Sequence, residues 1–339
     1  MQLEPVDHLP AGEWDAAVAR YDLAMFYHTS AWLGFLEDTG RGRVLRFRIV
    51  ERGRTLGYFA ALLLRKGPFR LLGSPFSGSM SEYLGPIVQR DFPVDRFLVS
   101  LDDLCSSLRV HQLEIGSPVL DPAVMRGHGY EVREWKTFQV TLSRDVETMW
   151  SALSSKSRNR IRQALKHGLV TEDVREPGFI PTHYEQVREV FGRQGLAPPF
   201  PLADYQSLAT RLKPSDLVFT VQVRHPATGD VLASGVFPHD GNRVYSLSTG
   251  SSILGRQLCA NDLLHWTVLR LACERGLSQY RMGDNYRVPA SGGKFKDKFS
   301  GSYEPVYRFV RHYSALARHA RRVYVALQHL KQRAAGRLL

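Results

Sequence analysis

The chain has 339 residues, a net charge of +12 and an apolar fraction of 43%. This length exceeds the size at which one hydrophobic core stops growing, so we expect two domains, and the apolar content excludes a disordered protein. No run approaches the roughly 18 apolar residues of a membrane-spanning helix, while three scattered cysteines and no clustered Cys/His motif argue for a cytoplasmic protein without a zinc site.

The N-terminal half predicts a strand-rich unit that ends with a helix and a further strand. Alternating apolar residues predict strands at 44–50 and 55–64, joined by a turn at Gly53. A helix is predicted over 94–108, followed by a short strand over 112–116.

The C-terminal half repeats this order of elements with little identity of residues. Strands are predicted at 217–224, 231–237 and 243–249. A helix over 261–275, capped by its first residue and ended by a glycine, leads to a strand at 278–283. The shared order predicts an α/β protein with two similar halves.

Two segments of the C-terminal half combine basic and aromatic residues. Residues 150–168 read WSALSSKSRNRIRQALKHG, which predicts a helix with a break near its start, five basic residues and no acidic residue. Residues 292–307 read GGKFKDKFSGSYEPVY, in which Phe295 and Phe299 stand one helical turn apart with lysines between them. A lysine held beside anchored aromatic rings can stabilise negative charge that develops in a reaction.

In order and separation, these features resemble the FemAB-like branch of the GNAT acyltransferase superfamily, most strongly over residues 146–307. The shared features are a tryptophan, a Ser-Lys-x-Arg step, a basic helix and a later Phe-Lys-x-x-Phe-x-Gly. The resemblance implies an α/β (α+β) fold of two tandem GNAT-like domains, each a mixed, mostly antiparallel sheet flanked by helices. We predict an N-terminal domain at 1–145, a C-terminal domain with the acyl-transfer site at 146–310, and a basic helical tail at 311–339.

The same resemblance suggests the residues of an acyl-transfer site. It implies that Lys296 lies beside the transferred carbonyl or the ribose-phosphate end of the donor, in a pocket walled by Phe295. Tyr245 and Asp284 end adjacent predicted strands, so the first could donate to an oxyanion and the second could accept a proton. The predicted catalytic residues are therefore Lys296, Tyr245 and Asp284.

Substrate contacts are predicted on the basic helix, at the strand edge and in a Gly/Ser-rich turn. The basic helix would grip a phosphate group, backbone groups at the strand edge would face the carbonyl, and the turn at 73–85 resembles the acceptor-side loop of the family. The predicted substrate-binding residues are Lys156, Arg158, Arg162, Phe295, Tyr83, Glu82, Ser246, Ser248 and Asn261.

The identity of the acyl donor stays open between aminoacyl-tRNA and acyl-CoA, and we expect no tightly bound cofactor. Residues 254–261 read LGRQLCAN and lack the paired glycines with which GNAT enzymes usually bind the pyrophosphate of acetyl-CoA. FemAB-like enzymes commonly lack these glycines too, and well-known members take the acyl group from aminoacyl-tRNA.

The excess positive charge is concentrated in the basic helix and in the segment after Glu304, which has eight basic residues and no acidic residue. This distribution points to an anionic partner, such as a phosphate-bearing acceptor. Apolar residues also recur in the tail at helical spacing. A helix on the inner face of an anionic membrane, an RNA-facing surface and a helix packed on its own domain all fit this pattern. The apolar positions are Tyr313, Leu316, Ala320, Val323, Leu327 and Leu330.

The leading hypothesis is a FemAB-like N-acyltransferase that moves an acyl or aminoacyl group onto an amine of a cell-envelope precursor, such as one for peptidoglycan, or of a related metabolite. One alternative is an acyl-CoA-dependent N-acyltransferase that acts on an amino sugar for an exported polysaccharide. A second alternative is a non-catalytic RNA-binding protein on a GNAT fold, although no stripe of aromatic and basic residues favours it.

Overall fold

The computed structural model describes residues 1–174, 178–212, 216–284, 295–319, 321 and 323. These residues divide into two compact units, each with its own core. Unit 1 comprises residues 1–134 and the described residues from 306 onward, and unit 2 comprises residues 135–305. The units differ from the predicted bounds because the last strand carries the chain back into unit 1, so that the start of the tail is part of that unit.

Unit 1 alternates short helices with strands. Its strands are β1 (Gln2–Pro5), β2 (Arg43–Glu51), β3 (Arg54–Lys66), β4 (Phe69–Ser74), β5 (Ile87–Val88), β6 (Gln112–Ile115) and the end of β14 (Ser302–His312). Its helices are α1 (Ala11–Val18), a 3₁₀ turn (Phe26–His28), α2 (Ser30–Asp38), α3 (Val94–Ser107) and α4 (Pro122–Gly127).

The sheet of unit 1 has the order β1-β2-β3-β4-β6-β14 and is mostly antiparallel, with a parallel pair at β4 and β6. The predicted strands 44–50 and 55–64, the helix 94–108 and the strand 112–116 are all confirmed to within a few residues. Helix α3 packs its apolar face, which includes Phe97 and Leu101, into the core of this unit.

Unit 2 begins within β7 and ends within β14. Its strands are β7 (Glu131–Thr141), β8 (Val170–Asp173), β9 (Val218–Arg224), β10 (Val231–Pro238), β11 (Arg243–Tyr245), β12 (Ser248–Ser251) and β13 (Gln279–Asp284). Its helices are α5 (Val146–Ala152), α6 (Ser155–Lys166), α7 (Phe179–Gly192), α8 (Leu202–Leu212), α9 (Ile253–Gln257), α10 (Ala260–Glu274) and a 3₁₀ turn (Asp297–Phe299).

The strands of unit 2 belong to two sheets. An antiparallel sheet has the order β12-β10-β9-β8, whereas β13 pairs antiparallel with β7 and parallel with β11. The prediction of one strand over 243–249 is therefore wrong, because the chain changes partners between Tyr245 and Ser248 and forms two strands in different sheets.

Helices α5, α6 and α9 of unit 2 begin where a side-chain oxygen accepts hydrogen bonds from free backbone N–H groups of the first turn. The predicted break in the basic segment lies between α5 and α6, where the Ser154 hydroxyl accepts a hydrogen bond from the amide of Ser157. Helix α10 begins after Cys259, whose backbone has a left-handed φ of 62°. The prediction that Asn261 caps this helix is therefore wrong, since Asn261 lies within its first turn.

Candidate active site

A gap opens in unit 2 where β11 and β13 part. The amide of Ser246 still donates to the carbonyl of Arg281, at 2.8 Å, but the amide of the next residue, Leu247, donates to Val236 in β10. Beyond this point β12 pairs with β10 while β13 continues to Asp284. From here on β11 and β13 no longer pair with each other in the described residues, and the space between two parted strands is a suitable place to hold a polar acyl group.

Lys296 lies at this gap. Its Nζ donates a hydrogen bond to the carbonyl oxygen of Gly283, at 2.9 Å. The residues around Lys296 are anchored in the core of unit 2, because the rings of Phe295 and Phe299 contact each other and both contact the buried imidazole of His265. The aromatic pair of the Phe-Lys-x-x-Phe motif therefore fixes the backbone that carries Lys296, as the sequence predicted.

A cavity of about 310 Å³ lies in unit 2, and Phe295, the residue before Lys296, is part of its wall. The rest of the wall comes from α6, the end of α7, β12, α9 and the start of α10. The cavity is lined by Arg160, Val190, Arg193, Thr249, Gly250, Ser251, Arg256, Cys259, Asn261, Asp262 and Phe295. Two of the predicted substrate-binding residues, Asn261 and Phe295, thus lie in its wall.

A buried carboxylate organises one side of the cavity. Asp262, in the first turn of α10, has a side chain only 2% exposed and pairs with both Arg160, at 2.9 Å from its Nε, and Lys298. Lys298 also lies over the ring of Phe295, 4.3 Å from its centre. Burial lowers the pKa of Lys298, whereas the hydrogen bond and negative charge of Asp262 act in the opposite direction.

Three arginines face the cavity from different elements. Arg160 is oriented by Asp262, and Arg193 pairs with Glu189 at 2.9 Å. Arg256, on the short helix α9, is exposed, and no carboxylate among the described residues pairs with it. Guanidinium groups around a helix N-terminus are suited to bind phosphate oxygens.

The other predicted residues of the basic helix point elsewhere. Arg158 donates to the carbonyls of Ser151 and Leu153, at 2.8 and 2.5 Å, so it caps the end of α5 rather than facing the cavity. Arg162 lies over the ring of Trp150, and Lys156 is exposed. Arg160, rather than the predicted Arg158 and Arg162, lies in the wall of the cavity.

The predicted strand-end residues also have other partners. The Tyr245 hydroxyl is buried and donates to Asp240 at 2.5 Å, so the proposed role of Tyr245 as an oxyanion donor is corrected. The Ser248 hydroxyl is hydrogen-bonded to the imidazole of His183, at 2.8 Å. The amide of Ser246 already donates to the carbonyl of Arg281, and a contact between Ser246 and an acyl carbonyl stays a prediction. The side chain of Asp284 lies outside the described part of the chain.

The remaining predicted pair, Tyr83 and Glu82, belongs to unit 1. Both lie in the β4–β5 loop, residues 75–86, where Tyr83 is buried and Glu82 is half-buried. The carbonyl of Glu82 accepts a hydrogen bond from Arg308, at 3.2 Å. Their contact with an acceptor remains a prediction.

Comparison with known proteins identifies the fold of unit 2. Residues 154–296 match the family model described as an acetyltransferase (GNAT) domain. This part of the chain is similar to GNAT acetyltransferase domains. This match spans the gap, the cavity and Lys296, and confirms the prediction of an acyltransferase. No curated protein matches the sequence.

Solved structures show the same fold over the whole chain at low identity. FemX is 14% identical, with a TM-score of 0.73 over 91% of this chain and 97% of its own. A tandem GNAT protein from the clavulanic acid biosynthesis pathway is 13% identical, with a TM-score of 0.54 over 92% and 98%. L-PGS from Bacillus licheniformis is 16% identical, with a TM-score of 0.54 over 99% of both chains. The predicted FemAB-like, tandem GNAT fold is confirmed.

The start of the tail packs against unit 1. Residues 315–319 are helical; Ala317 is buried, and Arg321, one turn later, reaches Glu114. Leu316 and Val323 are 69% and 46% exposed, so these two predicted members of an apolar face are not covered by unit 1. Among the described residues, no helix combines the length and the apolar character needed to cross a bilayer.

Proposed function

We propose that this protein is a FemAB-like N-acyltransferase that moves an acyl or aminoacyl group onto an amine of a cell-envelope precursor or a related metabolite. The observation that carries the proposal is the arginine-lined cavity of unit 2, whose wall includes Phe295, next to Lys296, with the Lys296 ammonium hydrogen-bonded at the end of β13. The GNAT domain and the likeness to FemX support it.

The phosphate-bearing part of the donor would occupy the cavity. Arg160 and Arg256 would bind its phosphate oxygens near the N-terminus of α10, where the helix dipole also favours negative charge. Both acyl-CoA and the aminoacyl end of a tRNA carry such phosphates. The cavity therefore supports a phosphate-bearing donor without choosing between these two.

The acyl carbonyl would lie in the gap between the strands. The acceptor amine attacks the carbonyl carbon, the new C–N bond forms, and the bond to the donor sulfur or ribose oxygen breaks. The ammonium of Lys296 would stabilise the oxyanion of the tetrahedral intermediate. Asp284 would accept the proton that the amine loses.

The second candidate is an acyl-CoA-dependent N-acyltransferase that acts on an amino sugar for an exported polysaccharide. It shares the site and differs in the donor. In this candidate the diphosphate of a CoA ester would bind to the same three arginines of the cavity.

Donor consumption tests both candidates. Purified protein would be incubated separately with a set of acyl-CoA esters and with charged tRNA, each with amine-bearing cell-envelope precursors and amino sugars. We expect one donor class to be consumed only when an amine acceptor is present, and Arg256→Gln to slow this at low donor concentration. Consumption of neither donor, with tight binding of uncharged RNA, would support an RNA-binding protein instead.

The tail would add a peripheral contact with an anionic membrane at the cytoplasmic face. The supporting observations are its seven basic residues without an acidic residue and the exposed apolar side chains of Leu316 and Val323. If the phosphate-bearing acceptor is lipid-linked, the enzyme would bind it at this membrane surface.

A further inference from the structure

The β4–β5 loop of unit 1 is held from beneath by two buried charged side chains. Glu114, in β6, is 3% exposed and accepts hydrogen bonds from the amide and the hydroxyl of Ser77, at 2.8 and 3.0 Å. Arg308, in β14, is also 3% exposed and donates to the carbonyls of Pro75 and Glu82, at 2.7 and 3.2 Å. The carboxylate of Glu114 therefore binds hydrogen-bond donors of the loop, and the guanidinium of Arg308 binds carbonyl acceptors of the loop.

This arrangement is costly for a surface loop. A charged group loses several kcal/mol of hydration, as an order of magnitude, when it is buried, and recovers it only through well-placed partners. Surface loops usually need no such support. Ser77 and Gly78 are nevertheless exposed residues. Two buried charges fixing so short a segment indicate that its backbone must keep one conformation, as a binding loop does.

The C-terminal helix takes part in the same network. Arg321 pairs with the Oε1 atom of Glu114, which also accepts from the side-chain amide of Gln112, while Oε2 of the same carboxylate binds Ser77. Burial alone would raise the pKa of Glu114, but the charge of Arg321, the Ser77 amide and the charge of Arg308 hold it below its ordinary value. The ionised carboxylate thus links the C-terminal helix to the loop.

We propose that Arg321 is a positioning residue, which fixes the β4–β5 loop through Glu114 and thereby sets the affinity for the acceptor. The second part rests on the proposed function, in which Tyr83 and Glu82 of this loop contact the acceptor. The first part depends on unit 1 alone. The tail is then a support of the acceptor loop as well as a basic surface.

Hydrogen exchange tests the first part without any substrate. In full-length protein with Arg321→Gln, the amides of residues 75–82 should exchange about tenfold faster or more, because Glu114 loses its charged partner and its hold on Ser77 weakens. Arg318→Gln is the matched control, since Arg318 is 47% exposed and only approaches Glu131, at 3.8 Å. In Arg318→Gln, the amides of residues 75–82 should exchange as in the wild type.

Kinetics with the acyl donor found for the protein tests the second part. Arg321→Gln should raise the acceptor KM about tenfold while leaving the donor KM unchanged, since only the acceptor loop has lost its support. Arg321→Lys keeps a charge beside Glu114 and should restore most of the loop protection and of the acceptor KM. A general loss of folding would instead lower kcat and the melting temperature in every variant at this position.

The outcomes separate the two levels of the proposal. Wild-type exchange of residues 75–82 in Arg321→Gln would overturn the link between the helix and the loop. Faster exchange with an unchanged acceptor KM would overturn the role of the loop in acceptor binding. If the wild-type protein transfers no acyl group, the proposed function fails, while the exchange experiment still decides whether Arg321 positions the loop.

Discussion

The Nζ atom of Lys296 donates a hydrogen bond to the main-chain oxygen of Gly283, 2.9 Å away, at the edge of the gap between β11 and β13. Gly283 has a left-handed φ of 73°, a conformation that suits glycine. The bond places the ammonium beside the strand end rather than in bulk solvent. It therefore connects the Phe-Lys motif of the sequence with the part of the GNAT domain where two strands part.

The buried carboxylate of Asp262 should be required for stability. Asp262→Asn leaves Arg160 and Lys298 side by side without their shared anion. We expect the free energy of unfolding to fall by about 2 kcal/mol or more, which is below the ~3–5 kcal/mol of a fully buried pair because Arg160 is partly exposed. Urea unfolding measures this change.

The control for Asp262 is an exposed pair in the same unit. Glu185→Gln removes the partner of Arg188, which lies 2.9 Å away on the surface of α7. Its effect should stay within about 1 kcal/mol. Equal stability of Asp262→Asn and wild-type protein would show that the carboxylate does not hold the two cations.

Arg256 should contribute to donor affinity rather than to rate. Arg256→Gln should raise the donor KM about tenfold with little change in kcat, because a remote phosphate contact is the same in ground and transition states. The difference should shrink as ionic strength rises. Arg158→Gln is the contrasting variant: its guanidinium caps α5, so it should lower the melting temperature and leave the donor KM unchanged. If instead Arg158→Gln raised the donor KM and Arg256→Gln did not, the sequence-based prediction that Arg158 binds a phosphate would be supported.

Two buried histidines should make the protein less stable in mild acid. Burial lowers the pKa of His183 and of His265 from 6.5 to about 3. The unfolded chain therefore binds more protons than the folded one between these values, so stability falls as pH drops below about 6.5 and is unaffected by these groups above it. The slope should be about 1.4 kcal/mol per pH unit for each histidine.

Replacing His183 tests whether its protonation on unfolding contributes to the loss of stability in acid. His183 bridges the hydroxyls of Ser234 and Ser248, each at 2.8 Å, so His183→Gln can keep part of that bridging without titrating. Denaturant unfolding between pH 7 and pH 5 should show a smaller pH slope for this variant by about one proton. An unchanged slope would mean that His183 titrates normally in the folded protein.

The regular elements could be predicted because apolar residues repeat with the period of each one. The change of partner between Tyr245 and Ser248 could not, since residues 243–249 keep the pattern of a single strand and the second sheet is a tertiary feature. The residues of the cavity wall could not be predicted either, because they come together only in the tertiary structure: Arg193 and Asp262, for example, belong to different helices. Arg160, however, shares a face with the buried residues Ser157 and Ala164, so a helical projection of the basic segment could have favoured it over Arg158 and Arg162.

The tail should bind anionic membranes, and this can be separated from its contact with unit 1. Deleting residues 324–339 removes three basic residues but keeps Arg321 beside Glu114. Sedimentation with anionic vesicles should weaken by about 1 kcal/mol per basic residue, and high salt should weaken it further. Vesicles of zwitterionic lipid are the control. If full-length protein does not sediment with anionic vesicles at low salt, the proposed membrane contact is wrong.

Lys296→Met gives the most direct test of the central claim, that acyl transfer occurs at the gap between β11 and β13. Methionine keeps most of the side-chain volume and removes the ammonium. With the donor found for the wild-type protein, single-turnover transfer to the acceptor should slow by about 100-fold or more, as when one oxyanion-stabilising group is lost. Donor affinity and melting temperature should stay close to those of the wild type and of Lys166→Ala, an exposed control on α6. Wild-type transfer rates in Lys296→Met would contradict the assignment of the site.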